Sequence, residues 1–208
     1  MDFVKVQNEL LTFLPPHYPA IEVRVELYRE DPSKVAIFFV EESFRSLYPM
    51  QRYHYLCHLI PQDFWQRELS NAVWFELAPG ERPEDLRSPD QEIITHIRED
   101  VMKCLRAKGA LEALDDLFCP MPSEGERVRC QGDFRNTKAI LSTKGFKEDD
   151  FFDVFHVLMA QGGFCDCEIL YNVAQDSRLC QQHWRDVAEG HEPYDPHEAG
   201  SGMKQPAG

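Results

Sequence analysis

The chain has 208 residues and a formal net charge of -14, and the acidic excess is spread along its length with no basic patch. Nucleic-acid binders draw affinity from clustered Lys and Arg that neutralise phosphates, so DNA or RNA is disfavoured and a basic or metal-bearing protein partner fits better. No apolar run approaches the roughly 20 residues that cross a bilayer, and Met1 to Leu14 lacks the cationic head of a secretory signal, so we expect no membrane association and a cytoplasmic location.

In chain order, residues 2–14 place Phe3, Val6, Leu10, Leu11 and Leu14 near helical spacing, and Pro15 and Pro16 stop that helix. Ile21, Val23, Val25 and Leu27 alternate with charged residues. Glu30, Asp31, Pro32 and Ser33 then supply turn chemistry before the continuous β-rich run Val35 to Val40, which predicts a hairpin with one strand buried more deeply. Tyr48 to Ile60 returns to helical character, Pro61 restarts a short helix through Leu69, and Ala72 to Leu77 reads as a third strand. Ser88 is placed to cap a further helix with Pro89 at its first position. Ile93, Ile94, Ile97, Val101, Cys104 and Leu105 form that helix's apolar stripe, and Gly109 closes it. Residues 1–108 thus predict an α+β fold: helix, strand, strand, helix, helix, strand, helix, with a three-stranded sheet and helices on one face.

A helix over 110–118 precedes Pro120, Pro122, Ser123, Glu124 and Gly125, where periodicity lapses. The boundary is therefore expected there, giving an α+β domain over 1–121 and a small thiol-rich, mainly helical domain over 122–189. In the second, Asp133 can cap a helix ending at Gly145. Phe151, Phe152, Phe155, Leu158 and Met159 stripe another, which Gly162 and Gly163 close. Cys165 to Val173 reads as a short strand and Ser177 to Glu189 as a last helix. From Gly190 to residue 208 the Gly, Pro and charge content predicts disorder.

Seven Cys in no regular framework suit reduced thiols and metal ligands better than disulfides. Cys165 and Cys167, two apart on a strand, can face one ion, and Cys180 and His183, three apart on a helix, can close the site, with Cys130 as a fifth candidate. Three thiolates and an imidazole suffice for closed tetrahedral zinc, and the mixed donor set favours zinc over an iron-sulfur cluster. The plainer reading is a set of buried reduced thiols. A redox pair at Cys165 and Cys167 is weakened by Asp166 and Glu168, which oppose a thiolate. His54 and His58, four apart beside Cys57, have metal-binding spacing without a marked third ligand. Phe64, Trp65, Trp74 and Phe75 read as core and rim aromatics, and Asp115, Asp116, Asp149 and Asp150 as solvated or capping carboxylates near helix ends. No phosphate-binding Gly loop, nucleophile elbow or His-Glu-x-x-His motif occurs.

The run Gly162-Gly163-Phe164-Cys165-Asp166-Cys167-Glu168-Ile169-Leu170-Tyr171-Asn172-Val173, extended back to Cys130, closely resembles the signature of the bacterial family termed domain of unknown function 2695. That resemblance implies a His two positions after the upstream Cys, where this chain has Gly132. Residues 1–108 resemble, in element order and in Phe44, Arg52-Tyr53-His54 and Ala72, a BolA-like domain. The resemblance implies pairing with a monothiol glutaredoxin and a cluster-ligating His at the third strand's start, where Asn71 stands here. Together the expectation is a cytoplasmic binding or adaptor protein with a structural zinc site. The alternatives are an iron-sulfur adaptor of BolA type and a thiol-dependent enzyme or redox protein using Cys165, His54 or His183.

Overall fold

The computed structural model describes residues 2–87, 89–120 and 127–197, and the fold is α+β. Its contacts divide the chain into two units, 1–88 and 89–208.

In the first unit, helix α1 (Phe3–Phe13) starts where Asp2 accepts a hydrogen bond from the Lys5 amide. Strands β1 (Glu22–Leu27) and β2 (Val35–Val40) form the antiparallel hairpin, with Val25 opposite Ile37. The turn between them is stabilised by Asp31, which accepts from the Ser33 amide and hydroxyl. Helices α2 (Pro49–Leu59) and α3 (Gln62–Phe64, continued by a wider turn at Trp65–Leu69) then carry the chain across to β3 (Ala72–Leu77). That strand pairs parallel with β2, as a helical crossover permits, so the sheet order is β1-β2-β3.

Alternation along the strands sorts the core. Val23, Val25, Val35, Ile37 and Phe39 pack with Val6, Leu10 and Leu14 of α1 and Leu56 of α2, whereas Ala36 and Phe38 face the other side with Leu77, Phe75 and Tyr28. Both faces of β2 are therefore buried, which is why its sequence is apolar without alternation. Phe64 lies in the helix-side core, the Trp65 and Trp74 rings sit 4.4 Å apart at its rim, and Phe75 stacks on Phe38 at 5.0 Å on the opposite face.

The second unit holds α4 (Gln91–Ala107), α5 (Ala110–Phe118), α6 (Arg135–Thr143), α7 (Glu148–Met159), α8 (Asp166–Glu168, continued by a wide turn at Ile169–Val173) and α9 (Arg178–Glu189). Three expectations change here. Helices α4 and α5 pack against α7 and α6 respectively, so the first unit ends near Ser88 rather than at residue 121. Contacts, not the lapse in periodicity, set that division, and the lapse itself falls on residues 121–126, outside the described residues. Ser88 is likewise outside them, and the observed cap of α4 is Asp90, which accepts from the Glu92 and Ile93 amides.

The third change is at Cys165 to Val173, which is helical rather than a strand. Its β-branched and aromatic residues imitate strand composition, but Ile169, Leu170 and Val173 are buried at helical spacing, and Glu168, three residues after the extended Cys165, accepts from the Phe164 amide. Gly163 permits the close packing of this turn, since a Cβ there would meet Ile169 and Val173 side-chain carbons at 3.0 Å.

The first unit also buries a carboxyl. Glu76 of β3 is 6% exposed and its Oε1 has no hydrogen-bond partner. Burial pushes its pKa up to about 7, against the nearby Arg52, whose guanidinium is engaged by the Glu81 carboxylate at 2.6 Å and the Glu76 carbonyl at 2.7 Å. The folded state therefore retains a proton that the unfolded chain releases near its ordinary value, so stability falls as pH rises from about 4.5 to about 7. The Glu76→Gln variant should match the parent at pH 4 and exceed it by about 3 kcal/mol at pH 8, as read from urea midpoints at the two pH values.

Candidate metal centre

Three segments of the second unit converge on one point. Cys130 lies in the extended stretch before α6, and Gly132, at φ 73°, takes the left-handed conformation that turns the chain toward the helix. Cys165 immediately precedes α8 and Cys167 lies within it. The third segment is the chain after α9, irregular over residues 191–195 and turning at Pro196 and His197. The ligand atoms of Cys130, Cys165, Cys167 and His197 all lie within 4.8 Å of one another. Within that set the Cys165 and Cys167 sulfurs are 3.4 Å apart, and His197 Nε2 is 3.1 Å from Cys167 Sγ. Around a tetrahedral ion with sulfur at about 2.3 Å, neighbouring donors stand roughly 3.7 Å apart, so these separations bracket the span required. All three thiols are buried and the imidazole is exposed.

Asp166 fixes the arrangement. Its amide donates to the Asp133 carbonyl at 3.0 Å, which joins the double-cysteine turn to the Cys130 segment. Its carboxylate accepts from the amides of Asn136 and Thr137 in the first turn of α6, from Asn136 Nδ2, and from the Thr137 hydroxyl at 2.6 Å. The helix thus receives its N-terminal acceptor from a residue thirty positions later. Burial pushes this carboxyl up while the hydrogen bonds from Thr137 and Asn136 oppose the shift. Asp133, the expected cap, accepts from the Arg135 amide and pairs with the Arg135 guanidinium.

Thiols this close share protons. Hydrogen bonds from Cys165 and Cys167 draw the Cys130 thiol below its usual range, contacts with Cys130 and Cys167 push Cys165 up, and Cys167 is pushed up by Cys130 and by burial against the opposing effect of Cys165.

Of the five ligands expected from sequence, the structure gathers Cys130, Cys165 and Cys167. Cys180 is buried in the first turn of α9 with its sulfur 3.6 Å from the Tyr171 carbonyl, and the His183 ring lies 5.3 Å from the rings of Tyr171 and Trp184. Neither belongs to the group. The strand assumed for residues 165–173 misdirected this expectation, because a helical turn aims the cysteines at the Cys130 segment instead of at α9.

The imidazole comes from His197, in a tail expected to be disordered. Residues 190–197 are instead docked: Pro196 accepts from the Cys130 amide at 2.9 Å, the His197 carbonyl accepts from Arg129 Nε at 2.9 Å, and Arg127 lies over the Tyr194 ring. Residues 198–208 fall outside the described residues. No spacing rule ties His197 to the cysteines, so only the folded chain reveals it. His54 and His58 have rings 4.3 Å apart on α2. Among the described residues, however, the group at Cys130 is the one gathering of three or more potential ligands. Asp115 accepts from the Arg178 and Leu179 amides at the start of α9, and Asp150 accepts from the Lys147 amide at the start of α7, so these carboxylates act as caps.

Residues 117–172 match a family model described as "Protein of unknown function (DUF2695)". No curated protein and no solved structure matches the chain. The matched stretch contains Cys130, Cys165 and Cys167. It ends before His197, and Gly132 stands where the resemblance implied a histidine. Among the described residues no helix is long and apolar enough to cross a membrane.

Replacing the Asp166 carboxylate with a methyl leaves the Asn136 and Thr137 amides without their acceptor. Asp166→Ala should lower metal-free stability by about 2–4 kcal/mol, and Asp166→Asn by roughly half as much, measured by urea denaturation under reducing conditions.

Proposed function

We propose that the second unit binds one zinc ion through Cys130, Cys165, Cys167 and His197, and that the ion serves as a structural cross-link in a protein-binding module. The convergence of three thiols and one imidazole within 4.8 Å carries this reading. Zinc fits the donor set, since soft thiolates with an imidazole in a four-ligand cage match its preferred chemistry. An iron-sulfur cluster fits less well. Its ligands must stand around several metal atoms, whereas donors this close leave room for one.

The ion would tie the Cys130 segment, α8 and the C-terminal segment together in a small helical unit, coupling metal binding to folding. Such a role needs no open coordination position, so metal catalysis is not required. Reduced thiols suit a reducing compartment such as the cytoplasm.

For the first unit we propose protein recognition. Its α-β-β-α-α-β order, with an antiparallel hairpin and a parallel third strand, supports the resemblance to a BolA-like module. Asn71 at the start of β3 disfavours a cluster-holding role there. Partners would be proteins rather than nucleic acid or membrane, in keeping with the net charge of -14.

Protein purified under reducing, chelator-free conditions should carry one zinc per chain by elemental analysis. Cys130→Ser, Cys165→Ser and Cys167→Ser should each lower zinc affinity at least about a hundredfold, while Cys180→Ser and His183→Ala retain stoichiometric zinc. Zinc at about a thousand times its dissociation constant should raise unfolding stability by about 4 kcal/mol, seen as a shifted denaturation midpoint. Stoichiometric absence of metal would overturn the reading.

A further inference from the structure

The four proposed ligands are held unequally. Cys130, Cys165 and Cys167 are at most 2% exposed and belong to the segments that Asp166 joins, through its bonds to Asp133, Asn136 and Thr137. His197 is exposed and arrives on a segment with no helix or strand of its own. Contacts among the described residues attach it to the rest of the unit. They include the Pro196 carbonyl on the Cys130 amide, the His197 carbonyl on Arg129, the Tyr194 carbonyl on the Tyr171 hydroxyl at 3.4 Å, and the Tyr194 ring under Arg127.

Removal of this segment would leave three thiolates on the ion and one open position, the arrangement that separates a closed structural zinc site from one able to take an external ligand. It would also release two cations. Arg129 would lose the His197 carbonyl at 2.9 Å, and Arg127 would lose the Tyr194 ring at 4.9 Å while keeping its bond to Gln182. A soft metal position next to the Arg129 guanidinium, which holds the His197 carbonyl, matches a ligand with a thiol at one end and a carboxylate at the other, because guanidinium binds carboxylate through paired donors.

Resting on the zinc reading, we propose that His197 is an exchangeable fourth ligand and that its position accepts a small thiol bearing a carboxylate. In the exchange the metal–nitrogen bond breaks and a metal–sulfur bond forms. The incoming thiol gives its proton to the departing imidazole or to water, and no electron is transferred. The C-terminal segment then acts as a plug that the ligand displaces, and Arg129 reads the carboxylate.

The test uses the full chain loaded anaerobically with cobalt(II) in place of zinc, titrated with mercaptosuccinate, 2-mercaptoethanol or succinate, in the parent and in His197→Ala. In the parent, mercaptosuccinate should raise the thiolate-to-cobalt charge-transfer absorption by about one third, as three thiolates become four, with cobalt retained. The midpoint should fall at least about tenfold in His197→Ala, where no imidazole competes, and rise by about tenfold for 2-mercaptoethanol or in an Arg129→Gln variant. Succinate should leave the band unchanged. An unaltered parent spectrum, equal midpoints in parent and His197→Ala, equal responses to the two thiols, or stripping of cobalt by the thiol would each overturn the exchange. Failure of the parent to show any thiolate-to-cobalt band would instead overturn the zinc reading on which it rests.

Discussion

A carboxylate withdrawn from water without a cationic partner is tolerated only where hydrogen bonds replace its hydration, and Asp166 meets that condition with four donors from the start of α6. The geometry of the second unit follows from this one placement. Because Asp166 stands between Cys165 and Cys167, fixing it against α6 also fixes the two thiols. Its amide bond to the Asp133 carbonyl brings in the segment bearing Cys130. Hydrogen bonds of Asp166 thus join the segments that carry all three cysteines.

The same device recurs on the other side of the unit. Asp115 of α5 accepts from the Arg178 and Leu179 amides and pairs with the Arg178 guanidinium, so α9 is also met at its N-terminus by a carboxylate from a distant element. The two units thus reach order differently. The first does so by two-sided burial of β2, with apolar residues of α1 and α2 on one face of the sheet. The second relies more on long-range caps, each satisfying amides that a helix start leaves open. A metal cross-link among Cys130, Cys165, Cys167 and His197 would add a third such tie, reinforcing the hydrogen bonds that already dock the chain after α9.

Residues with local causes were readable from the sequence. The proline stop after α1, the Asp31 turn, the apolar run of β2 and the Gly109 break each act within a few residues, and the first unit's order of elements follows from them. The double-cysteine stretch was not readable in the same way. Ile169, Tyr171 and Val173 have strand-like preferences, while the tertiary contacts of Asp166 and the close approach at Gly163 favour a helical turn. Composition reports the first and is blind to the second. That single misreading moved the expected partners of Cys165 and Cys167 from the Cys130 segment to α9. His197 is a stronger case still: it lies thirty residues beyond Cys167, on a segment whose Pro and charge content resembles linker sequence, and nothing local marks it. The division near Ser88 was missed for a related reason, since the apolar stripe of α4 shows that the helix is buried but not which unit buries it.

The two chemical readings of the cluster are competing states of the same atoms. With Cys165 and Cys167 sulfurs 3.4 Å apart, oxidation of the pair would remove two of the three thiolates. A bound cation would hold both as ligands and withhold them from that reaction. Geometry fits the second state: the three thiols are buried together, and His197 brings an imidazole into the same group. A redox couple works best with a thiol open to an attacking partner, whereas all three sulfurs here are buried. The same four side chains could thus hold an ion, and the imidazole is the exposed member of the group.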